Sequence, residues 1–278
     1  MRILVTTDFS ANSKAGLRFA VSLAKSNKAQ LIFYHSYFLM KPTSWSEATY
    51  LQHVKNEEQK LLSRLNKFVA TVCKSIKLSP ANFKCVVEQS IIRESGIMDY
   101  AQSQDVDFIC ISTRGTGRLK KIFGTTAGNL ITKSQVPVIA VPKHYKTKGI
   151  THILYASDLK NYRAELKKVI AFAKPHKASI EVFHICYSGK KSIDAGEMTA
   201  RMIKEFKYNI KLHLIKTDLT QPLVTILQKA IASSKPSLVV MFTEQRRTFY
   251  QKIFLSSSTE SIAFQAKVPM LVYNKTIK

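Results

Sequence analysis

Between Ile3 and Val141 the chain alternates short apolar runs, rich in branched residues, with longer stretches whose apolar positions recur at helical spacing. Runs of the first kind read as strands buried on both faces, and those of the second as helices packed along one side. The pattern predicts strands near Ile3 to Thr6, Leu31 to His35, Phe83 to Val87, Phe108 to Ser112 and Val138 to Val141. Helices are predicted over Ser13 to Ser26, about Ser46 to Cys73, Gly96 to Ser103 and Thr126 to Lys133. Strand and helix in alternation make a parallel sheet covered by helices, with right-handed crossovers.

The pattern then starts again. ILVTTDFSANSKAGLRFAVSLAKSNKAQLIFYHSY, from Ile3, lies on ILYASDLKNYRAELKKVIAFAKPHKASIEVFHICY, from Ile153, matching Asp8 with Asp158 and His35 with His184. Further on, DFICISTRGTGRLKKIFGTTAGNLITKSQVPVIAVP from Asp107 lies on SLVVMFTEQRRTFYQKIFLSSSTESIAFQAKVPMLVYN from Ser237. The second half therefore has strands near Ile153, Ile180, Leu212, Leu238 and Met270. A polar, basic segment from His144 to Gly149 without apolar periodicity reads as the linker, giving tandem domains at residues 1–145 and 149–278.

Sheets of this kind take ligands beyond the carboxyl ends of their strands, where the chain order reverses. Asp8 lies at one such end, and STRGTGRLKKIFGTT, residues 112 to 126, at another. Glycines number nine in the chain and four fall between Gly115 and Gly128, so the stretch is special. Gly124-Thr125-Thr126 opens a helix, whose free N–H groups and dipole favour phosphate. Glycine lets backbone approach the ligand, the threonine hydroxyls donate, and Arg114, Arg118, Lys120 and Lys121 add charge. The same residues also read as a turn, a helix cap and solvated cations. Asp8 reads equally as a helix cap, and His35, with no nucleophile motif near it, as structural.

A formal charge of +25 and a pI near 9.9 point to a polyanion or an acidic membrane surface, but the lysines form no long block and no RNA-binding or zinc-finger signature occurs. No apolar run spans a membrane and Asp8 interrupts the first strand, so a cytoplasmic location without membrane insertion is expected. Cys73, Cys85, Cys110 and Cys186 are scattered without a C-x-x-C pair and read as small hydrophobes, leaving no metal site.

VTTDFS, FYHS, the glycine stretch and VPVIAVP together resemble the universal stress protein family over nearly the whole chain. The resemblance implies two tandem five-stranded, parallel-sheet α/β sandwiches, Rossmann-like and akin to the adenine nucleotide alpha hydrolases. Nucleotide-binding members carry G-x2-G-x9-G-[ST] here; Ser112 stands at its first glycine, and eight residues rather than nine separate Gly115 from Gly124. What the resemblance implies for the site is Asp8, with Thr6 and Thr7 beside it, near ribose and base, and Ser36 at adenine through its backbone. It places Ser112 and Gly115 at the first phosphate contacts and Gly124, Thr125 and Thr126 in the main cradle. The implied ligand is ATP or AMP, with Mg2+ accompanying a triphosphate.

TEQRRTFYQKIFLSSST, the matching stretch of the second half, has no glycine, Glu244 brings negative charge, and Ser256 and Ser257 stand opposite Gly124 and Thr125. One nucleotide per chain is therefore expected, the second half serving packing, homodimerisation or partner binding. No H-x-G-H, K-M-S-K-S or S-G-G-x-D-S element occurs, so no catalytic residue is assigned. The expected function is a nucleotide-binding stress-response regulator or scaffold. Its alternatives are a nucleotide-independent module with a basic surface, or a slow ATPase or autophosphorylating protein.

Overall fold

A computed structural model describes residues 1–113, 125–187, 194–217, 221, 223–244 and 267–275. They divide into two compact units, the first running to Thr147 and the second from Lys148. In the first, strands β1 (Arg2–Thr6), β2 (Gln30–Tyr37), β3 (Phe83–Gln89), β4 (Phe108–Thr113) and β5 (Val138–Pro142) alternate with helices α1 (Lys14–Asn27), α2 (Glu47–Ile76), α3 (Arg93–Ser103) and α4 (Thr125–Lys133). The sheet order is β3-β2-β1-β4-β5, all parallel.

β1 is central because Ile3, Leu4 and Val5 are fully buried, as a strand covered by helices on both sides requires. The chain moves outward through β2 and β3, then returns across β1 to β4. Right-handed crossovers thus put α1 and α2 against one face and α3 and α4 against the other. That reversal leaves the ends of β1 and β4 side by side, in the register Val5 to Cys110.

The second unit repeats the plan with β6 (His152–Ala156), α5 (Tyr162–Ala173), β7 (Ser179–Tyr187), α6 (Ala195–Phe206), β8 (Ile210–Thr217), α7 (Leu223–Ser234), β9 (Leu238–Glu244) and β10 (Met270–Lys275). Its order is β10-β9-β6-β7-β8, again parallel. The doubly wound α/β fold expected from the repeat is the one observed.

Part of the basic excess has a structural place. Lys28, Lys77 and Lys207 follow α1, α2 and α6 in the left-handed conformation, with φ of 49°, 52° and 49°. Lys177, at φ 53°, does the same after the single turn Lys174–His176. This position favours glycine, which the sequence rarely supplies; lysine accepts about 1–2 kcal/mol of backbone strain and offers its charge to the negative end of the helix dipole.

Candidate functional site at the ends of β1 and β4

Past Thr6 the chain turns through a loop held by its own small polar residues. The Thr7 N–H donates to the Tyr34 carbonyl at 3.0 Å, extending the β1–β2 pairing by one residue. Ser13 Oγ donates to the Ser10 carbonyl at 2.8 Å, which uses its only proton. The Thr7 hydroxyl, 2.8 Å away, is therefore the donor to Ser13 Oγ, and it also accepts the Phe9 N–H at 3.0 Å. Asp8 Oδ1 accepts the Ser10 N–H at 3.0 Å, an Asx turn that orients the carboxylate. Phe9 adopts φ 60°, a strained value for a side chain of this size.

His35 pins the loop from β2: its Nδ1–H donates to the Thr7 carbonyl at 2.8 Å, and its ring centroid lies 4.2 Å from that of Phe9. Burial pushes this imidazole below its ordinary pKa, the Thr7 hydrogen bond opposes the shift, and the charges of Arg93 and Arg64 add to it. The histidine thus holds its loop as a neutral donor.

Ser112, level with Thr7 on β4, points its hydroxyl back into the scaffold. Ser112 Oγ donates to the Ser13 carbonyl at 2.9 Å and accepts the Gly16 N–H at 2.7 Å, stitching β4 to the first turn of α1. Its partner must be glycine, since a Cβ on residue 16 would lie 2.8 Å from Ser112 Oγ and 3.1 Å from its backbone nitrogen.

The predicted site residues thus differ in what they offer. Thr6 is buried at the end of β1. The side chains of Thr7 and Ser112 serve the loop and its helix, and so act as positioning groups. Asp8 is half-buried beyond β1, and Ser36 is buried on β2, on the same side of the strand as Tyr34. Thr125 and Thr126 are the first residues of α4, as a phosphate-binding helix start requires. Gly115 and Gly124 lie outside the described residues, with Arg114, Arg118, Lys120 and Lys121, as do Ser256 and Ser257 of the second half. Asp8 beyond β1 and the α4 start beyond β4 are an acceptor and a row of N–H donors of the kinds a nucleoside phosphate uses.

The second unit copies the loop and then closes it. The Ser157 N–H donates to the Phe183 carbonyl at 2.9 Å, Ser157 Oγ accepts the Leu159 N–H at 3.1 Å, and Asp158 Oδ1 accepts the Lys160 N–H at 3.0 Å. Leu159 has φ 61°, and His184 Nδ1–H donates to the Ser157 carbonyl at 2.9 Å. Here, however, Lys275 Nζ sits 2.9 Å from Asp158 Oδ2 and 3.3 Å from Glu165 Oε1. Glu165, 5% exposed, projects from the apolar face of α5, where α1 has Ala15, and it accepts a hydrogen bond from the Tyr155 hydroxyl. Burial alone would lower the Lys275 ammonium, but its bond to Asp158 and both carboxylate charges hold it above the usual lysine range. Burial tends to raise the Asp158 carboxyl; the bonds from Lys275 and the Lys160 N–H outweigh it and hold it low.

The Lys275 closure was not foreseen from sequence. Its signal was Glu165, a carboxylate on the apolar stripe of Tyr162, Leu166, Val169 and Phe172.

The family model described as the universal stress protein family matches residues 1–142. The chain belongs to that family. A universal stress protein from Archaeoglobus fulgidus DSM 4304 superposes with a TM-score of 0.73 at 16% identity, covering 99% of this chain and 98% of that one. A putative universal stress protein from Pseudomonas aeruginosa UCBPP-PA14 gives 0.58 at 14%, covering 98% and 92%. Both are similar in fold. No curated protein matches the chain. Among the described residues no helix is long and apolar enough to cross a membrane, and no cluster of His, Cys, Asp and Glu could hold a metal ion.

Proposed function

We propose that the first unit binds one adenine nucleotide, ATP or AMP, and that the chain is a cytoplasmic stress-response regulator or scaffold whose signal is nucleotide occupancy. The observation that carries this reading is the Thr7–Ser13 loop. It orients Asp8 at the reversal point between β1 and β4, whereas the matching carboxylate of the second unit is covered by Lys275.

In this reading Asp8 accepts hydrogen bonds from the ribose, the backbone at Ser36 meets the base, and Gly115, Gly124, Thr125 and Thr126 hold the phosphates. A triphosphate bound there brings its Mg2+. Thr7, Ser112 and His35 keep the loop in shape. Binding rather than turnover is the output in this reading, because the hydroxyls of Thr7, Ser13 and Ser112 are committed within the scaffold.

Calorimetric titration of the full chain with ATP and with AMP tests the proposal. One site per chain is expected, with affinity falling at least about tenfold in Asp8→Ala and in Gly124→Asp, the cost of losing a charge-assisted hydrogen bond or of placing a carboxylate in the cradle. Absence of binding at millimolar nucleotide, or parental affinity in both variants, overturns it.

A further inference from the structure

The 30-residue helix α2 carries, on its exposed side, the row Asn56, Gln59, Lys60, Ser63, Arg64 and Lys67. These positions recur at intervals of three and four, so they form one ridge along about 16 Å of helix. All six are hydrogen-bond donors, three are cations, and none is acidic or apolar. Glu57 approaches from beside the ridge, 3.7 Å from Lys60 Nζ.

Arg64 is not a loose surface cation. Its guanidinium lies 4.4 Å from the centroid of the Phe9 ring. Phe9 is itself fixed by its left-handed backbone, by His35, and by an edge contact with Phe68 at 5.8 Å. Lys14 of α1 sits over Phe68 at 5.7 Å and brings a fourth cation to the same side. A guanidinium held over an aromatic ring loses less freedom on binding than a loose one.

A lipid surface would need apolar side chains to insert, and the ridge lining has none. A row of cations with amide and hydroxyl donors between them suits a chain of phosphodiesters. We propose that this ridge binds single-stranded nucleic acid without reading its sequence. Lys60, Arg64, Lys67 and Lys14 neutralise successive phosphates, and Asn56, Gln59 and Ser63 bond phosphate and sugar oxygens. The Arg64–Phe9 pair offers an unpaired base a cation and an aromatic ring to pack on, which duplex bases, stacked on each other, cannot use. The net charge of +25 raises the local concentration of any such polyanion.

The test is fluorescence anisotropy of the full chain with an end-labelled oligouridylate of about 20 nucleotides across about 50–200 mM salt, where three to four phosphate contacts give a log–log slope of about −2 to −3. The Lys60→Glu/Arg64→Glu/Lys67→Glu variant should bind at least about tenfold more weakly, with the slope flattened by about 2. The reference is Lys167→Glu/Lys204→Glu/Lys211→Glu, which removes the same formal charge from exposed positions of the second unit and should stay within about threefold of the parent. If charge reversal unfolds the ridge variant, judged by circular dichroism, the Lys60→Gln/Arg64→Gln/Lys67→Gln variant replaces it, with at least about a fivefold loss expected. Equal losses in ridge and reference variants overturn the proposal. So do tighter binding of a duplex of the same length, an unaffected ridge variant, or no parental binding at about 100 mM salt.

Discussion

The loop after β1 and the loop after β6 have nearly the same backbone, down to a large residue at φ near 60° and a histidine holding the preceding carbonyl. Their surroundings differ. In the first unit the α1 positions behind the loop are small, Ala15 and Gly16, and Ser112 turns inward onto them. In the second, Glu165 and Lys275 build a buried ion pair around Asp158. The carboxylate of the second loop is thus locked by Lys275, 117 residues away, together with Glu165 of the helix that follows.

Breaking the lock has the largest expected effect. Lys275→Met leaves Glu165 buried beside Asp158 with no cation between them, and uncompensated buried charge costs about 3–5 kcal/mol. The pH dependence should also reverse. In the parent, the depressed Asp158 pKa contributes stability above its unfolded value, about 3.9, and loses it as pH falls further; the raised Lys275 pKa contributes below about 10.4 and loses it as pH rises through the folded value. In the variant the carboxylates repel, so stability should fall as pH rises from about 4 towards 7. Urea titrations at several pH values measure both effects. A loss below about 1 kcal/mol would mean the pair is merely a surface contact.

The next largest effect concerns ligand. Asp8→Asn should weaken ATP or AMP binding by about 10–100-fold, the worth of a hydrogen bond to a charged group, while Asp158→Asn leaves both affinity and stoichiometry unchanged. Calorimetry on the two variants reads this contrast directly. Equal losses would show that both loops bind, and that Lys275 opens.

How much of this was legible in the sequence depends on the distance over which each feature is decided. All the expected strands and helices of the first half are present, because burial on two faces enforces continuous apolar runs such as Leu31 to Tyr34. α3 begins at Arg93, not Gly96. Gly96 lies within the helix, where a Cβ would come 2.7 Å from the Ser90 Cβ, so this glycine reports close packing rather than a helix start. The family site could be laid onto residues 6–8, but not the commitment of Thr7 and Ser112 to α1, which depends on partners as much as 99 residues apart. A lysine near the chain end likewise looks solvated until the strand order brings it to Asp158, 117 residues away.

The Ser112–Gly16 stitch is a way to sharpen the comparison at moderate cost. Ser112→Ala removes the acceptor of the Gly16 N–H and the donor to Ser13, and should cost about 1–2 kcal/mol. Gly16→Ala drives a methyl against Ser112 Oγ and its backbone nitrogen, and should cost about 1–3 kcal/mol. Because the first contact vanishes in Ser112→Gly, the Gly16→Ala/Ser112→Gly double variant should be more stable than the two single losses predict, by about 0.5–2 kcal/mol. Strict additivity in denaturant melts would mean that the two residues adjust independently.

The smallest effect is a pH dependence of the first loop. Burial keeps the folded-state pKa of His35 below that of the unfolded chain, about 6.5, so below this value the unfolded state binds more protons. Stability from the neutral imidazole is therefore present above about pH 6.5 and declines as pH falls through it. The charges nearest the ring act in both directions, Arg93 and Arg64 against protonation and Asp8 for it. The clamp of the second loop titrates elsewhere: the Asp158–Lys275 pair stays charged from about pH 4 to about 10. Between about pH 5 and 7 acidification should thus loosen the Thr7 loop and leave the Asp158–Lys275 clamp charged, a change of about 1 kcal/mol or less. Hydrogen exchange at the Thr7 and Phe9 amides, compared with Ser157 and Leu159, resolves the two sites within one sample. Protection at Thr7 and Phe9 should drop with acid, and His35→Gln, which cannot titrate, should make the drop disappear. A parent whose Thr7 and Phe9 protection does not change from pH 7 to 5 would show that His35 holds its carbonyl whether or not the ring is charged.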